Sequence, residues 1–312
     1  MIPMPFTSNN KITIYGAGFV GSTIAYSLLA EDFVEEITLI DINAKLVAAQ
    51  VMDLEHSTPF LGQTSVKAGT ENDLASSDIA IIACGAAQKP GQTRLELVQK
   101  NSSILNGILP GIFKQNPHII VLIVTNPVDI LTHLAIERYP QYKNQIFGSG
   151  TLLDSARLRQ LLGHQLDINP QSVHAYILGE HGDSEFPLWS AAMIGSTPLA
   201  RFRLSEKVKR DLFERAKNAA YTIIEGKQAT YYAIGAGVAK LVHTILGNEK
   251  SVLPVSHCMD GDFGIRGICL SIPRIIGRNG VVGSIPLEMN TQEKKQLRQS
   301  AIALKKVLES LS

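Results

Sequence analysis

The chain has 312 residues, of which 45% are hydrophobic and 18% charged, and its formal net charge is +1. This composition excludes a disordered chain and is typical of a globular protein with room for two domains. The balanced charge gives no reason to expect nucleic acid as a partner, and apolar runs well short of about 20 residues predict neither a membrane span nor a signal peptide.

Short apolar strands alternate with longer amphipathic stretches over the first half of the chain. The segment KITIY predicts a strand, and a helix is expected near 19–30. Further strand candidates lie at 36–41, 78–84, 118–125 and 144–151. Several of these runs are almost continuously apolar, which is typical of parallel strands covered on both faces. We therefore predict an α/β fold that begins with a Rossmann-type, doubly wound parallel sheet over residues 1–149.

The regular alternation ends near residue 150, so residues 150–312 are predicted to form a mixed α+β substrate domain. The expected elements are a helix near 152–163, a strand ending at Leu178, a helical stretch over 205–246, antiparallel strands over 252–258, 267–276 and 280–287, and a last helix from about Thr291 to Leu311. Gly226, Gly235 and Gly237 are expected to break or bend the helical stretch. Asn290 is the predicted N-cap of the last helix.

The three cysteines indicate the redox environment. Cys84, Cys258 and Cys269 form no C-x-x-C pair, and their number is odd. We therefore expect a reducing, cytoplasmic location with no disulfide framework. No cysteine metal site and no H-E-x-x-H motif is found, so no bound metal is predicted.

The segment GAGFVG, residues 16–21, has the G-x-G-x-x-G pattern after an apolar strand and before a helix. Gly16 permits the tight turn, Gly18 lets a pyrophosphate approach the backbone, and Gly21 allows close packing of the helix on the sheet. Asp41 lies 20 residues beyond Gly21, at the end of the next strand. Its carboxylate can accept hydrogen bonds from a ribose and would repel a 2′-phosphate. The pattern therefore favours NAD over NADP as cofactor.

A second group of polar residues indicates proton and hydride chemistry. His181 lies between glycines in GEHGD, Asp154 and Arg157 share one helix face in DSAR, Asn126 follows a strand, and Arg94 ends a glycine-rich loop. Reduction of a 2-keto acid needs a proton donor for the carbonyl oxygen, which a histidine held by a carboxylate supplies. A guanidinium binds the substrate carboxylate with two hydrogen bonds.

Other interpretations of these residues stay open at this point. His181 could cap a turn, and Asp154 with Arg157 could form a surface ion pair worth about 0.3–0.5 kcal/mol. A non-catalytic dinucleotide-binding protein would use the glycine loop and Asp41. That alternative gives no reason for the combination of His181, Asp154, Arg157 and Arg94.

The motifs together resemble the L-lactate/malate dehydrogenase family, and within it the bacterial L-lactate dehydrogenases. The resemblance covers essentially the whole chain and rests on GAGFVG, IDIN, QKPGQTRLELVQKN, TNPVD, GSGTLLDSARLR and GEHGDSEFPLWS, in that order. It implies that His181 is the proton donor and acceptor, Asp154 its orienting partner and Arg157 the anchor of the substrate carboxylate. It also implies that Arg94 polarises the substrate carbonyl.

The resemblance further implies a set of cofactor contacts and an assembly. Asn126 would bind the substrate or the nicotinamide side, with Val124 and Ser149 nearby. Val20 and Gly85 are assigned to the cofactor site as well. A homotetramer, or in some members a dimer, is the assembly that the family implies.

Substrate choice within the family depends on the group facing the far end of the 2-keto acid. Malate dehydrogenases have an arginine there, and the matching position six before Arg94 is Gln88. A neutral amide leaves the second carboxylate of oxaloacetate unpaired, at a cost of several kcal/mol. Thr230 resembles the second pocket wall of the lactate enzymes. Both residues favour pyruvate and L-lactate, with malate or another 2-hydroxy acid as the alternative.

Arg159 and His174 form the last candidate site. Arg159 is two residues beyond Arg157 and points away from the substrate side by about 200° on a helix. In bacterial L-lactate dehydrogenases of this type, the matching arginine and histidine bind fructose 1,6-bisphosphate across a two-fold axis. The resemblance therefore implies activation by fructose 1,6-bisphosphate, with an ordinary subunit-interface role as the alternative.

Overall fold

The computed structural model describes residues 10–86 and 94–311. Its helices are α1 (Phe19–Glu31), α2 (Ala44–Leu61), α3 (Arg94–Gln115), α4 (Val128–Arg138), α5 (Leu152–Leu166), α6 (Glu206–Lys227), α7 (Tyr232–Leu246) and α8 (Thr291–Glu309). Its strands are β1 (Lys11–Tyr15), β2 (Glu36–Ile40), β3 (Ser65–Ala68), β4 (Ile79–Ile82), β5 (Ile120–Ile123), β6 (Ile146–Gly148), β7 (Val173–His174), β8 (Ile177–Leu178), β9 (Phe186–Pro187), β10 (Met193–Ile194), β11 (Thr197–Pro198), β12 (Ser251–Asp260), β13 (Arg266–Gly277) and β14 (Gly280–Ser284). None of the helices within these ranges is long and apolar enough to cross a membrane.

Six parallel strands form the Rossmann-type sheet that the sequence predicts. Their spatial order is β3-β2-β1-β4-β5-β6. β2 and β3 therefore lie on one side of β1, and β4, β5 and β6 lie on the other. All four residues of β4 and of β5 are buried, as expected for strands covered on both faces. Helices α1, α2 and α7 contribute to the apolar core on one face, and α3 and α4 to that on the other. The predicted α/β class is confirmed.

The antiparallel strands of the second half are confirmed, but they continue the same sheet. β12 pairs with β6 through Ser256 and Gly148, and β13 and β14 follow, giving nine strands. The two strands approach closely where they pair. A Cβ on Gly148 would lie 3.1 Å from the Cβ of Ser256. The sheet is therefore shared by both halves of the chain.

The break in the predicted helical stretch lies between α6 and α7, and it is not made by the glycines. Gln228 ends α6 in the left-handed region with φ of 71°. Gly226 lies inside α6, and Gly235 and Gly237 lie inside α7. At Gly235 a Cβ would lie 2.6 Å from Cγ2 of Thr23 in α1. That glycine allows two helices to pack closely, so the expectation that it breaks the helix is wrong.

The strand predicted to end at Leu178 is divided in two. β7 joins a three-stranded sheet with β10 and β11, whereas β8 pairs with β9. The change of partner brings the chain to Gly179, whose φ is 95°, just before His181. The last helix begins as predicted, with a capping box in which Asn290 and Glu293 exchange side-chain to backbone hydrogen bonds. His181 therefore follows a short buried strand and lies on a tight turn that Gly179 makes possible.

Candidate active site

The glycine-rich loop joins β1 to α1 at the carboxyl end of the parallel sheet. Gly16 has φ of 105°, and a Cβ there would lie 2.6 Å from the backbone nitrogen of Cys84. A Cβ on Gly21 would overlap the carbonyl oxygen of Gly16. A Cβ on Gly18, the N-cap of α1, would meet no other described atom within 4 Å. Two glycines thus make the turn compact, and the third leaves open space at a helix N-terminus, which suits a pyrophosphate.

Asp41 lies beside this loop, as its position after β2 predicts. One carboxylate oxygen accepts the backbone N–H of Ala17 at 2.9 Å, and the other accepts that of Asn43 at 2.9 Å. A carboxylate has about four acceptor positions, so these bonds leave capacity for a ribose. The same bonds fix the acid at the edge of the loop.

The ends of β4, β5 and β6 carry the other predicted cofactor residues. Gly85 approaches Thr125 so closely that a Cβ would lie 2.5 Å from its Cγ2. Val124 and Ser149 are buried, and Asn126 is exposed beyond them. Val20 lies in the first turn of α1 and is half-buried. These residues follow neighbouring strands of one sheet, and ligands bind at that end of open α/β sheets.

Asn101 links two of these strand ends, a role that the sequence did not reveal. Its buried side-chain amide donates to the carbonyl of Asn126 at 2.8 Å and accepts the backbone N–H of Ala86 at 2.7 Å. It therefore holds the segment after β4 against the segment after β5. Its place at the end of QKPGQTRLELVQKN was the available signal, but no chemical pattern distinguished it from a helix-surface amide.

His181 is held from two sides. Its Nδ1 is hydrogen-bonded to Asp154 Oδ2 at 2.6 Å, and its backbone N–H donates to Asp129 Oδ2 at 2.7 Å. The side chain remains 26% exposed, whereas that of Asp154 is 2% exposed. Because Nδ1 is committed to Asp154, Nε2 is the ring nitrogen available to a substrate. The interpretation of His181 as a simple turn cap does not account for this pairing.

Asp154 also accepts Arg157 Nη1 at 2.8 Å, so one carboxylate holds both the histidine and the arginine. Arg157 is only 13% exposed, and this pair is therefore not the surface ion pair considered as an alternative. Burial alone would raise the pKa of Asp154, but the charges of His181 and Arg157 and the hydrogen bond from His181 lower it. Asp154 therefore stays ionised between two cations.

The charge state of His181 follows from the same arrangement. Burial disfavours the imidazolium, but the Asp154 carboxylate outweighs burial, and Asp129 adds to it. Together they raise the pKa of His181 to about 9. At neutral pH the ring carries a proton that it can give to a carbonyl oxygen, as a general acid must.

Two further carboxylic side chains, those of Asp129 and Glu185, lie next to His181 and Asp154. Asp129 is 2% exposed, and burial raises its pKa to about 6. Glu185 is 6% exposed, and its carboxylate lies within 4.8 Å of the polar atoms of Asp154 and His181. Burial and the charge of Asp154 raise the pKa of Glu185 to about 8. The sequence analysis selected neither Asp129 nor Glu185 as a site residue.

The structure brings together only part of the predicted substrate site. A cavity of about 350 Å³ is lined by His181, Asn126 and Tyr221 among others, while Arg157 lines a separate cavity of about 510 Å³. Thr230 is half-buried in the segment between α6 and α7. Gln88 and the side chain of Arg94 lie outside the described residues. Their roles stay predictions.

The sheet, the glycine loop and the ion-paired histidine form the arrangement of a dinucleotide-dependent dehydrogenase. Residues 10–148 match the family model of the lactate/malate dehydrogenase NAD-binding domain. Residues 151–312 match the family model of the lactate/malate dehydrogenase α/β C-terminal domain. The chain belongs to the lactate/malate dehydrogenase family.

Similar proteins support this membership over the full length. An L-lactate dehydrogenase of Acetivibrio thermocellus is 44% identical over 96% of this chain and 97% of that protein. L-lactate dehydrogenase 1 of Clostridium acetobutylicum is 41% identical over 97% of this chain and 99% of that protein. The crystal structure of the minor L-lactate dehydrogenase of Enterococcus mundtii, in a ligand-bound form, has a TM-score of 0.94 and 38% identity, covering 97% and 99% of the two chains.

Proposed function

We propose that the protein is an NAD-dependent L-lactate dehydrogenase that interconverts pyruvate and L-lactate. The observation that carries the proposal is the Asp154 carboxylate, which binds His181 with one oxygen and Arg157 with the other. This arrangement sets a charged proton donor beside a guanidinium, as reduction of a 2-keto acid requires. The full-length relatives described above support the same substrate.

The residues of the chain fit NAD as the cofactor, and each has a separate role in the proposed reaction. The N-terminus of α1 and the loop from Gly16 to Gly21 would hold the pyrophosphate, and Asp41 the ribose. The chemistry that NADH would supply, when bound there, is a hydride for the carbonyl carbon of the substrate. Arg157 binds the substrate carboxylate, and His181 gives the proton on Nε2 to the carbonyl oxygen. Asp154 keeps the ring oriented and stabilises its charged form.

The sequence-based roles of the remaining residues are part of the proposal. Arg94 would polarise the carbonyl, while Gln88 and Thr230 would form the pocket around the methyl group of pyruvate. Asn126, Val124 and Ser149 would contact the nicotinamide side, and Gly85 and Val20 other parts of the cofactor. Gln88 also argues against the alternative substrate, malate, because it carries no charge for a second carboxylate.

A substrate panel tests the function directly. NADH oxidation is measured with pyruvate, oxaloacetate and branched 2-keto acids, at matched concentrations of the purified chain. We expect the highest kcat/KM with pyruvate. Preference for oxaloacetate would make the protein a malate dehydrogenase, and no turnover of any of these acids would contradict the proposal.

The pH dependence of the reaction tests the pairing of Asp154 with His181. Pyruvate reduction needs the protonated ring, so kcat/KM should fall as the pH rises through about 9, the raised pKa of His181. Asp154→Asn removes the charge that raises this pKa, and the fall should then occur at a distinctly lower pH. The pH profiles of kcat/KM for both proteins give the comparison.

A matched control is available on the same helix. Asp167 is the exposed C-cap of α5, where asparagine also tolerates its positive φ of 54°. Asp167→Asn should leave the pH profile unchanged. An unchanged profile in Asp154→Asn as well would contradict the assigned role of Asp154.

We also propose that fructose 1,6-bisphosphate activates a homotetramer of this chain. Arg159 is half-buried on α5, donates to the carbonyl of Pro170 at 3.4 Å, and has no described partner for its Nε. His174 is exposed on β7. This arginine and this histidine support a phosphate site. Pyruvate saturation curves with and without the bisphosphate, for the parent and for Arg159→Gln, test it, and superimposable parent curves would contradict it.

The compartment belongs to the same proposal. All three cysteines are free thiols in the structure. Free thiols are the usual state in the reducing cytoplasm, which we propose as the location.

A further inference from the structure

Two cysteines lie directly opposite each other in the antiparallel part of the sheet. Cys258 on β12 is the register partner of Cys269 on β13. Directly opposed residues in antiparallel strands have Cα atoms about 4.5–5.5 Å apart. A disulfide needs a Cα separation of about 4.4–6.8 Å, so the backbone already meets this requirement.

The two thiols differ in exposure and in charge environment. Cys269 is completely buried, whereas Cys258 is half-buried at the edge of the apolar core. The neighbouring Cys269 thiol and the charges of Lys143 and Arg274 lower the pKa of Cys258 to about 7, against burial and Asp260. Burial raises the pKa of Cys269. Cys258 therefore loses its proton more readily than Cys269, which is the property of a reactive cysteine.

We propose that Cys258 and Cys269 are a peroxide-sensitive pair that forms a reversible disulfide. The Cys258 thiolate attacks one oxygen of hydrogen peroxide, so an S–O bond forms, the O–O bond breaks, and hydroxide leaves and is protonated to water. The Cys269 sulfur then attacks the sulfur of the resulting sulfenic acid. The S–S bond forms, the S–O bond breaks, and the departing hydroxide takes the Cys269 proton. Two thiols and one peroxide thus give one disulfide and two waters.

The pair is connected to the proposed active site by a short series of contacts. Ser271 is two residues beyond Cys269, on the same face of β13. Its hydroxyl donates to Asp129 Oδ1 at 3.4 Å, and Asp129 Oδ2 accepts the backbone N–H of His181 at 2.7 Å. A disulfide beside Ser271 replaces two free thiol side chains with one rigid link between β12 and β13, and we expect this link to alter the support of His181. Oxidation should therefore lower kcat severalfold, while the KM for NADH changes little.

The experiment uses the full chain treated with hydrogen peroxide, followed by blocking of free thiols and mass spectrometry. We expect a loss of two hydrogens, a cross-link between the peptides of Cys258 and Cys269, and reversal by dithiothreitol. Cys84→Ser is the matched control, because Cys84 lies outside the pair. It should keep the cross-link and the reversible fall in kcat.

Single variants separate the steps. Cys269→Ala should stop at the sulfenic acid of Cys258, which dimedone traps, and Cys258→Ser should show neither product. A parent protein that keeps both thiols free, or that cross-links through Cys84, would overturn the site. A cross-link that leaves kcat unchanged would overturn the connection to His181. The chemical readout is independent of the proposed substrate, so it holds even if pyruvate is not reduced.

Discussion

Replacing His181 with Asn should lower the turnover of pyruvate by about two to four orders of magnitude and leave NADH binding nearly unchanged. Asparagine keeps a polar side chain of similar size but has no proton to give at neutral pH. The glycine loop and Asp41, which would hold the cofactor, follow the first two strands and do not depend on the ring. Single-turnover rates and NADH fluorescence titrations measure the two effects separately.

The same substitution elsewhere provides the control for this result. His164 is exposed near the end of α5, the helix that carries Asp154. His164→Asn should retain parental turnover. If His181→Asn also retained near-parental turnover, the proton donor would have to be another group, and Glu185, with a pKa of about 8, would be the first to examine.

Replacing Gln88 with Arg should raise the ratio of kcat/KM for oxaloacetate over pyruvate by orders of magnitude. The new guanidinium pairs with the second carboxylate of oxaloacetate, whose burial without a partner costs several kcal/mol. A difference of about 1.4 kcal/mol corresponds to a tenfold change in rate. Steady-state kinetics with both acids give the ratio.

A charge-matched variant shows whether position matters. Gln141 is exposed after α4, and Gln141→Arg adds the same charge there. Its ratio should equal that of the parent. If Gln88→Arg behaved like Gln141→Arg, residue 88 would not face the far end of the substrate, and specificity would have to come from the wall that contains Thr230.

Local patterns predicted the parts of the molecule that depend on neighbours in sequence. The apolar runs of β4 and β5 identified the buried parallel sheet, and Asn290 identified the start of α8. The glycine pattern was informative because a Cβ would clash at Gly16 and at Gly21, while Gly18 leaves space open at the N-terminus of α1. These features are determined by local sterics and by burial, and both restrict which residue types can occupy a position.

Features that depend on distant residues were not predictable in the same way. β3 has only four residues and one buried side chain, so its pattern is too weak to distinguish from a loop. Asp129 supports His181 across 52 positions, and no spacing rule connects them. The raised pKa of Glu185 arises from burial and from Asp154, both of which exist only in the folded chain.

The join between Gly148 and Ser256 has a consequence for how the chain can be divided. A fragment ending at residue 149, the predicted domain boundary, would lack β12 and leave the backbone of β6 as an open edge. An exposed edge flanked by apolar strands invites pairing with another chain. The two halves, although each has its own family description, are therefore expected to aggregate or to recombine when produced separately, and to require each other for folding.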